Sequence, residues 1–384
     1  RFVIGTPPLA NAGGPVFVDK LGGSPLNPRS GWVMAGGKAV NDYFLTVSLR
    51  RRDYEQTSLV RNRLNGRFGF EAAAAATPGR ILVKVPPRYM SRKDDFVEIL
   101  KAVYVDAGVD LIEARITSLV RRLAVEPDKF SAEMALEAIG NPSLRKLQVL
   151  LSSSDEQTRF HAARCMLNLG SDQGLQYLRE VALDAGSPLR MDALEAVTRS
   201  GSRNEASALA RTLLRDADLD VRLAAYEQLR NLDDVSVVSE TIAEAFHLER
   251  VAYAGGKAIF VSRRGQPRVV VFGSPIYCRE GSFVQSANGK VIINGARGQQ
   301  YVSVIRKHPR RPSVVMNLKS SFKLSDIIRV LGTEPVAGGQ AGPGGLGLPY
   351  SEIVALLRQM CDRGAVGAEF RAGPPPNFGP NVKK

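Results

Sequence analysis

The sequence predicts an α+β protein in which β-α-β-α and β-meander segments are interrupted by an all-α, HEAT-like solenoid. The first observation behind this is a repeat: Arg159, Ala162 and Met166 are echoed by Arg190, Ala193 and Val197 and again by Arg222, Ala225 and Leu229. The arginines stand 31 and 32 residues apart, the length that two helices and two short turns consume. Each unit therefore reads as a helical hairpin that must stack on its neighbours to bury its apolar stripe. The second observation is charge: residues 1–109 carry a net +7, residues 110–250 a net −6 and residues 251–384 a net +13, within a total of +14. The third is that the β-branched and aromatic runs that mark strands lie before and after the repeat.

Residues 1–42 are rich in Gly and Pro with short apolar bursts such as Pro15-Val16-Phe17-Val18, which predicts an irregular or β-rich lead-in. Residues 44–49 read as a strand, and Asp53 N-caps a helix carrying Leu59, Val60 and Leu64 that Gly66 and Gly69 stop. A second strand over 81–85 ends at Pro86-Pro87. A helix from Asp94 to about Tyr104, with Phe96, Ile99, Leu100 and Val103 on one face, completes a β-α-β-α segment over residues 1–109. The solenoid spans 110–250, with turns at Asn141-Pro142, Ser187-Pro188 and Gly201, and residues 130–139 and 144–151 form a less regular first hairpin. In the segment 251–371, strands over 257–261, 268–272, 290–293 and 301–305 form a meander that turns at Asn288-Gly289 and Asn294-Gly295. Ser325 caps a helix carrying Ile327, Ile328, Val330 and Leu331 and closed by Gly332. A flexible Gly-rich stretch over 338–347 precedes a last helix opened by Ser351, and residues 372–384, with Pro374-Pro375-Pro376, form a disordered tail.

At 384 residues and 44% hydrophobic composition the chain fills two or three cores of ordinary size. It has no run of about 18 apolar residues to span a bilayer, and Arg1-Phe2-Val3-Ile4-Gly5 does not read as a signal peptide. Cys165, Cys278 and Cys361 form no CxxC spacing and His161, His247 and His308 no HxxxH, which argues against a metal site. With no nucleotide loop or nucleophile motif, a cofactor-free protein that is not an enzyme is expected. Cys165 and His161 are expected inside the hairpin packing, with no carboxylate pair or nucleophile beside His161. Gly255-Gly256-Lys257 imitates a phosphate loop but lacks its Gly spacing and its Ser/Thr.

An array that gripped nucleic acid would itself carry the positive charge, and here it is acidic, so nucleic acid is not an expected partner. The basic flanks suit an acidic protein, a cell-wall polymer or an anionic membrane surface. Their densest cluster, Arg306-Lys307-His308-Pro309-Arg310-Arg311, is either a solvated hairpin end or an interaction patch formed by Arg306, Lys307, Arg310 and Arg311.

Several segments carry a resemblance. Gly31-Trp32-Val33-Met34-Ala35-Gly36-Gly37, Phe44-Leu45-Thr46-Val47-Ser48-Leu49-Arg50, Asp53-Tyr54, Val60-Arg61-Asn62-Arg63-Leu64-Asn65 and Ile81-Leu82-Val83-Lys84-Val85-Pro86 stand in the order of the middle of the flagellar basal-body P-ring proteins. Arg268-Val269-Val270-Val271 with Pro275-Ile276-Tyr277-Cys278 is similar to a later segment of that family. Leu324-Ser325-Asp326-Ile327-Ile328-Arg329-Val330-Leu331-Gly332 and Ser351-Glu352-Ile353-Val354-Ala355-Leu356-Leu357-Arg358-Gln359-Met360, with Gly364-Ala365-Val366-Gly367-Ala368-Glu369, resemble its close. The family's N-terminal region has no counterpart in this sequence, and the solenoid is foreign to ordinary members.

The resemblance implies a periplasmic structural subunit without cofactors. Copies of it form a ring, a bushing around the flagellar rod, seated at the peptidoglycan layer beneath the outer-membrane ring protein, with the solenoid as a surface for an added protein partner. It also implies a disulfide between Cys278 and Cys361, the latter one helical turn before the family's usual position at Ala365, the alternative being two free thiols. The alternative function is a non-flagellar periplasmic scaffold whose solenoid binds a protein partner.

Overall fold

A computed structural model of the chain describes residues 10–21, 31–40, 44–105, 108–307, 315–335 and 344–376. Helices and small sheets mix in an α+β fold that divides into two compact units, residues 42–213 and residues 1–41 with 214–384. The lead-in is β-rich, as expected: β1 (Ala10–Ala12) pairs with β4 (Gly37–Ala39), and β2 (Val16–Phe17) with β3 (Trp32–Val33), both antiparallel.

The 42–213 unit begins with β5 (Phe44–Ser48) and α1 (Tyr54–Phe68). Asp53 starts α1, its Oδ1 accepting from the amides of Glu55 and Gln56 at 2.8 and 3.3 Å. Gly69 ends it at φ 113°, a conformation that favours glycine, while Gly66 is carried inside the helix. A strand not expected from its alanines, β6 (Ala73–Thr77), precedes β7 (Arg80–Lys84), and the sheet runs β5-β7-β6 with both pairings antiparallel. The segment is therefore β-α-β-β-α, closing with α2 (Lys93–Lys101).

The helices α3 (Val109–Val125), α4 (Lys129–Ile139), α5 (Leu144–Leu150), α6 (Glu156–Asn168), α7 (Leu175–Leu183), α8 (Arg190–Ser200) and α9 (Arg203–Leu213) follow. Among them α4 packs on α6 and α6 on α8, while α3, α7 and α9 pack on α4, α8 and α8 respectively. The repeat positions Ala162, Met166, Ala193 and Val197 are fully buried. Leu64, Ile81, Val83, Phe96 and Ile99 share one core with Met134 and Ala138 of α4. That shared core is why no boundary falls at 109/110: the α/β elements cannot close their apolar face without the first helices.

The boundary expected at 250/251 also moves. The third repeat helix, α10 (Leu219–Asn231), belongs with the sheets, and the residues after it form β8 (Val237–Ile242) and β9 (Phe246–Val251) rather than helix. These two strands are joined by Ala243 and Glu244 at φ 48° and 55°, the left-handed pair of a tight hairpin whose usual Asn-Gly signal is missing. With β10 (Ala258–Val261), β11 (Arg268–Phe272) and β16 (Glu369–Ala372) they form a sheet ordered β16-β10-β11-β9-β8. Its β9/β11 and β10/β16 pairs are parallel, so it is not the expected meander.

The meander is the second sheet, β12 (Ser282–Gln285), β13 (Val291–Gly295), β14 (Val302–Lys307) and β15 (Val315–Ser320), antiparallel throughout. Asn288-Gly289 turns as expected, with Gly289 at φ 68°, but Asn294-Gly295 lies within β13 and the next reversal uses Gly298 at φ 76°. Next come α11 (Leu324–Gly332), which has no side-chain N-cap from Ser325, and α12 (Tyr350–Asp362), entered through Pro349. Leu248, Ile259 and Val271 of one sheet, Val284, Ile293 and Val304 of the other, and Ile327, Leu331, Ile353 and Leu357 of these helices form one core with Phe17.

Part of the Gly-rich stretch is fixed rather than free, since the Leu346 and Leu348 amides donate to Val330 and Leu331 at 2.7 and 2.9 Å. Ala372 closes β16 and the Gly373 amide donates to Val261 at 2.8 Å, so the expected disordered tail does not begin at 372. Residues 338–343 and 377–384 lie outside the described residues. Because Met134 belongs to the α/β core, Met134→Ala is expected to lower the stability of the whole 42–213 unit by about 2–5 kcal/mol, read as a lower urea midpoint with a single transition. Separate transitions for the α/β elements and the helices would contradict the shared core.

Candidate functional site

Each inner helix of the array opens with a cation that reaches back to carbonyls of the preceding helix or turn. Arg159 Nη1 donates to Ser153 and Ser154 at 2.6 and 3.0 Å, and Arg190 Nε to Ala182 at 3.0 Å. In the other unit Arg222 Nη1 donates to Asp216 and Ala217 at 2.8 and 2.7 Å. These carbonyls lie at or just past helix C-termini, where four acceptors lack intrahelical donors and the helix dipole is negative, so a cation there satisfies both.

The structure adds a member to the series that has Lys in place of Arg. Lys129 Nζ donates to Leu123 at 3.0 Å and to Thr158 Oγ1 at 2.9 Å, and pairs with Asp155 Oδ2 at 3.1 Å. Ala132 and Leu136 follow it at the repeat's spacing and are fully buried. The signal was legible had Lys been allowed in place of Arg.

Beside this ladder lies a buried polar cluster. Glu133 and Glu137, one turn apart on α4, are both fully buried. Glu133 accepts from Arg164 at 2.8 and 2.6 Å and stands 2.6 Å from His161 Nδ1. Beside His161, where no carboxylate pair or nucleophile was expected, stands the single carboxylate of Glu133. Burial opposes ionisation of Glu133, but Arg164 and His161 outweigh it and hold its pKa below the usual carboxylate range; Glu133 in turn raises that of Arg164 against its burial.

Glu137 meets Arg92 and Asn168, and its backbone carbonyl accepts from Arg67. Burial, opposed by Arg92 and reinforced by Glu133, lifts its carboxyl above the usual range. Tyr89 is pushed up to about 12 by burial and by Glu137. A cavity of about 260 Å³ opens beside Glu137, Arg88, Arg92, Asn168 and Arg199. Cys165, at the base of this cluster, is fully buried and its thiol is pushed well up by burial. The cluster bolts α4 to α2 and α6: Arg92 reaches α4 from just before α2, and Arg164 and His161 reach it from α6.

The other predicted residues fall in the second unit. Cys278 and Cys361 are free thiols. Cys278 Sγ contacts Ser282 Oγ at 3.1 Å and its backbone bridges Val366, while Cys361 sits near the end of α12 with its thiol raised to about 11 by burial and Asp362. The bond implied by the family resemblance is not present in this structure. Arg306 is turned away from the expected patch. It occupies the row of Val291 and Met316 and donates to the Leu346 carbonyl. Lys307 is exposed on the opposite row, and Arg310 and Arg311 lie outside the described residues.

Gly255-Gly256 serves packing: a Cβ on Gly255 would stand 2.4 Å from the Arg215 carbonyl. In the same unit α10 is fixed to its sheet by Arg268, bidentate to Glu227 at 3.0 and 2.9 Å, and by Tyr226 and Arg230 on the buried Glu249. Among the described residues no group of three or more His, Cys, Asp or Glu side chains is arranged to hold a metal ion, and no helix is long and apolar enough to cross a membrane. Neither protein-family models nor curated protein sequences give a match to the chain.

Lys129→Met is expected to lower stability by about 2–3 kcal/mol, since a charged donor to buried acceptors is removed, and Lys129→Arg to restore most of it, both read by urea denaturation. Asp155 provides a pH test. Its hydrogen bonds from Thr158 and Lys129 lower its pKa to about 2, so its contribution is present above the usual Asp value and lost as pH falls towards 2. The gap in urea midpoint between wild type and Asp155→Asn should be widest above about pH 4 and close as pH falls towards about 2. A gap independent of pH would contradict the assignment.

Proposed function

We propose that this chain is a structural subunit of the flagellar P-ring type, a periplasmic bushing component whose copies assemble around the rod at the peptidoglycan layer and support the outer-membrane ring. In this reading its helical array is a HEAT-like solenoid added to present a surface to a further protein. The observation that carries the reading is the C-terminal resemblance together with the role of those residues in the fold. The two segments that resemble the family's close form α11 and α12, and their Gly364–Glu369 continuation leads into β16, which closes the mixed sheet. This C-terminal part of the resemblance thus falls on elements of one hydrophobic core.

The chemistry is of the same kind. Buried charged groups such as Glu133, Glu137, Arg92, Lys129, Arg222 and Glu249 join elements to one another, which suits a load-bearing part. A second reading, a non-flagellar periplasmic scaffold, is favoured by one observation: Lys129, Arg159 and Arg190 tie successive helices of the array together, and stacked helices present surfaces of the kind that bind protein partners.

Electron cryo-tomography of basal bodies with and without the gene separates the two. The bushing reading expects loss of a periplasmic ring on deletion and, in the wild type, peripheral density of the size of the helical array. An unchanged basal body would overturn it in favour of the scaffold.

A further inference from the structure

The cavity beside Glu137 lies wholly within the 42–213 unit and carries more donors than the fold uses. Its volume is about 260 Å³. Arg88 and Tyr89 from the turn after β7, Arg92 just before α2, Glu137 of α4, Asn168 at the end of α6 and Arg199 at the end of α8 line it. Three guanidinium groups are thus set against one carboxylate, and that carboxylate is already satisfied: one oxygen accepts from Arg92 and the other from Asn168 at 3.1 Å. Arg199 shares an exposed ion pair with Glu195 one turn earlier, a contact of the kind that contributes little. Among the described residues Arg88 has no ion pair.

Two features of this wall are not explained by packing. Arg88 and Arg92 both stand 5.0 Å from the centre of the Tyr89 ring, so one ring gathers two like charges, which repel each other unless an anion joins them. Tyr89 is 1% exposed and its hydroxyl has no hydrogen-bond partner. Arg92 Nε is buried without one too, at 3.7 Å from the Asp95 carboxylate. A buried donor left unpaired loses its hydration for nothing, and folded proteins seldom carry one without a reason. The negative end of α8 suffices to account for Arg199, but Arg88, Tyr89 and Arg92 belong to the β7–α2 connection and not to that helix.

The complement of such a wall is an anion rich in acceptors. A carboxylate offers two oxygens and one charge. A phosphate monoester offers three terminal oxygens and a charge of about −1.5 to −2 at neutral pH, the closer match to three guanidinium groups of which Glu137 balances one. Size agrees, since a cavity of about 150 Å³ already takes benzene.

We propose that this cavity binds a phosphate group, free or as a monoester, whose oxygens accept from Arg88, Arg199, the Tyr89 hydroxyl and the Arg92 nitrogens that Glu137 leaves unused. The bound group joins the β7–α2 connection to the ends of α6 and α8, so it stabilises the 42–213 unit. The site is independent of the assembly reading above, and neither falls with the other.

The test is isothermal titration calorimetry of the full chain at fixed ionic strength with inorganic phosphate, glycerol 3-phosphate and acetate. The proteins are wild type, Arg88→Ala, Tyr89→Phe and a control, Arg121→Ala, which removes an exposed cation from α3 of the same unit. Wild type is expected to bind one phosphate group saturably and to unfold at a higher temperature in its presence. Arg88→Ala should bind at least about tenfold more weakly and Tyr89→Phe about threefold to tenfold more weakly, while Arg121→Ala binds like wild type. Arg88 is exposed and Tyr89→Phe keeps the ring; thermal unfolding without phosphate checks that both fold, and Arg88→Gln replaces a variant that loses cooperative unfolding. Tighter binding of glycerol 3-phosphate assigns the site to a monoester and tighter binding of inorganic phosphate to the free ion, and either supports the proposal. Absence of saturable binding by both, acetate bound as tightly as either, wild-type affinity in a folded Arg88 or Tyr89 variant, or equal weakening by Arg121→Ala overturns it.

Discussion

A cation placed at the start of one helix and hydrogen-bonded to the carbonyl end of the structure before it is the interaction on which the helical half of this protein depends. A helix pair of this length buries too little surface to hold itself, and its C-terminal carbonyls face a partly apolar junction where an unpaired acceptor costs about 1–3 kcal/mol. Lys129, Arg159 and Arg190 supply the donors and oppose the helix dipole in the same step. Arg222 repeats the arrangement at the entry to α10. Ala and an apolar residue follow at fixed spacing because the helix face that carries the cation is also the face that packs.

The same economy governs the distribution of charge. The array's cations are drawn inward on backbone carbonyls, and Lys129 there also pairs with Asp155. Buried charge elsewhere is used to fasten elements that apolar packing alone would leave free to slide: Glu137 joins α4 to the segment before α2 through Arg92, and Glu227 and Glu249 hold α10 on its sheet through Arg268 and Arg230. Breaking one partner of such a pair leaves an uncompensated buried charge, so these contacts fix geometry more than they add stability.

Much of the fold was legible in the residues, and what was not has specific causes. The Arg-Ala-apolar spacing, the α1 cap at Asp53, the strands β13 and β14 and the spans of the last two helices were legible, while the caps expected at Ser325 and Ser351 do not form. The alanine strand β6 carries no β propensity of its own and exists because β7 offers it a partner. The β8–β9 hairpin turns through Ala243 and Glu244 without the residues that announce such a turn. Its strands also follow a helical pattern directly, so the change of period was hidden. Domain boundaries were misplaced because they depend on which core a helix completes, and Met134 and Tyr226 reveal that only through their neighbours. The cluster around Glu133 was illegible for a similar reason. Its carboxylate lies on α4 and its partners His161 and Arg164 lie on α6, about 30 residues away, and only the packing of α6 on α4 brings them together.

Hydrogen–deuterium exchange of Arg190→Met measures whether the ladder is local and successive. Loss of protection is expected to centre on α7 and α8, weaker in α6 and absent in α4, since each cation serves one junction and stability passes between nearest neighbours. Uniform loss across residues 109–213, or unchanged exchange at α7 and α8, would contradict it.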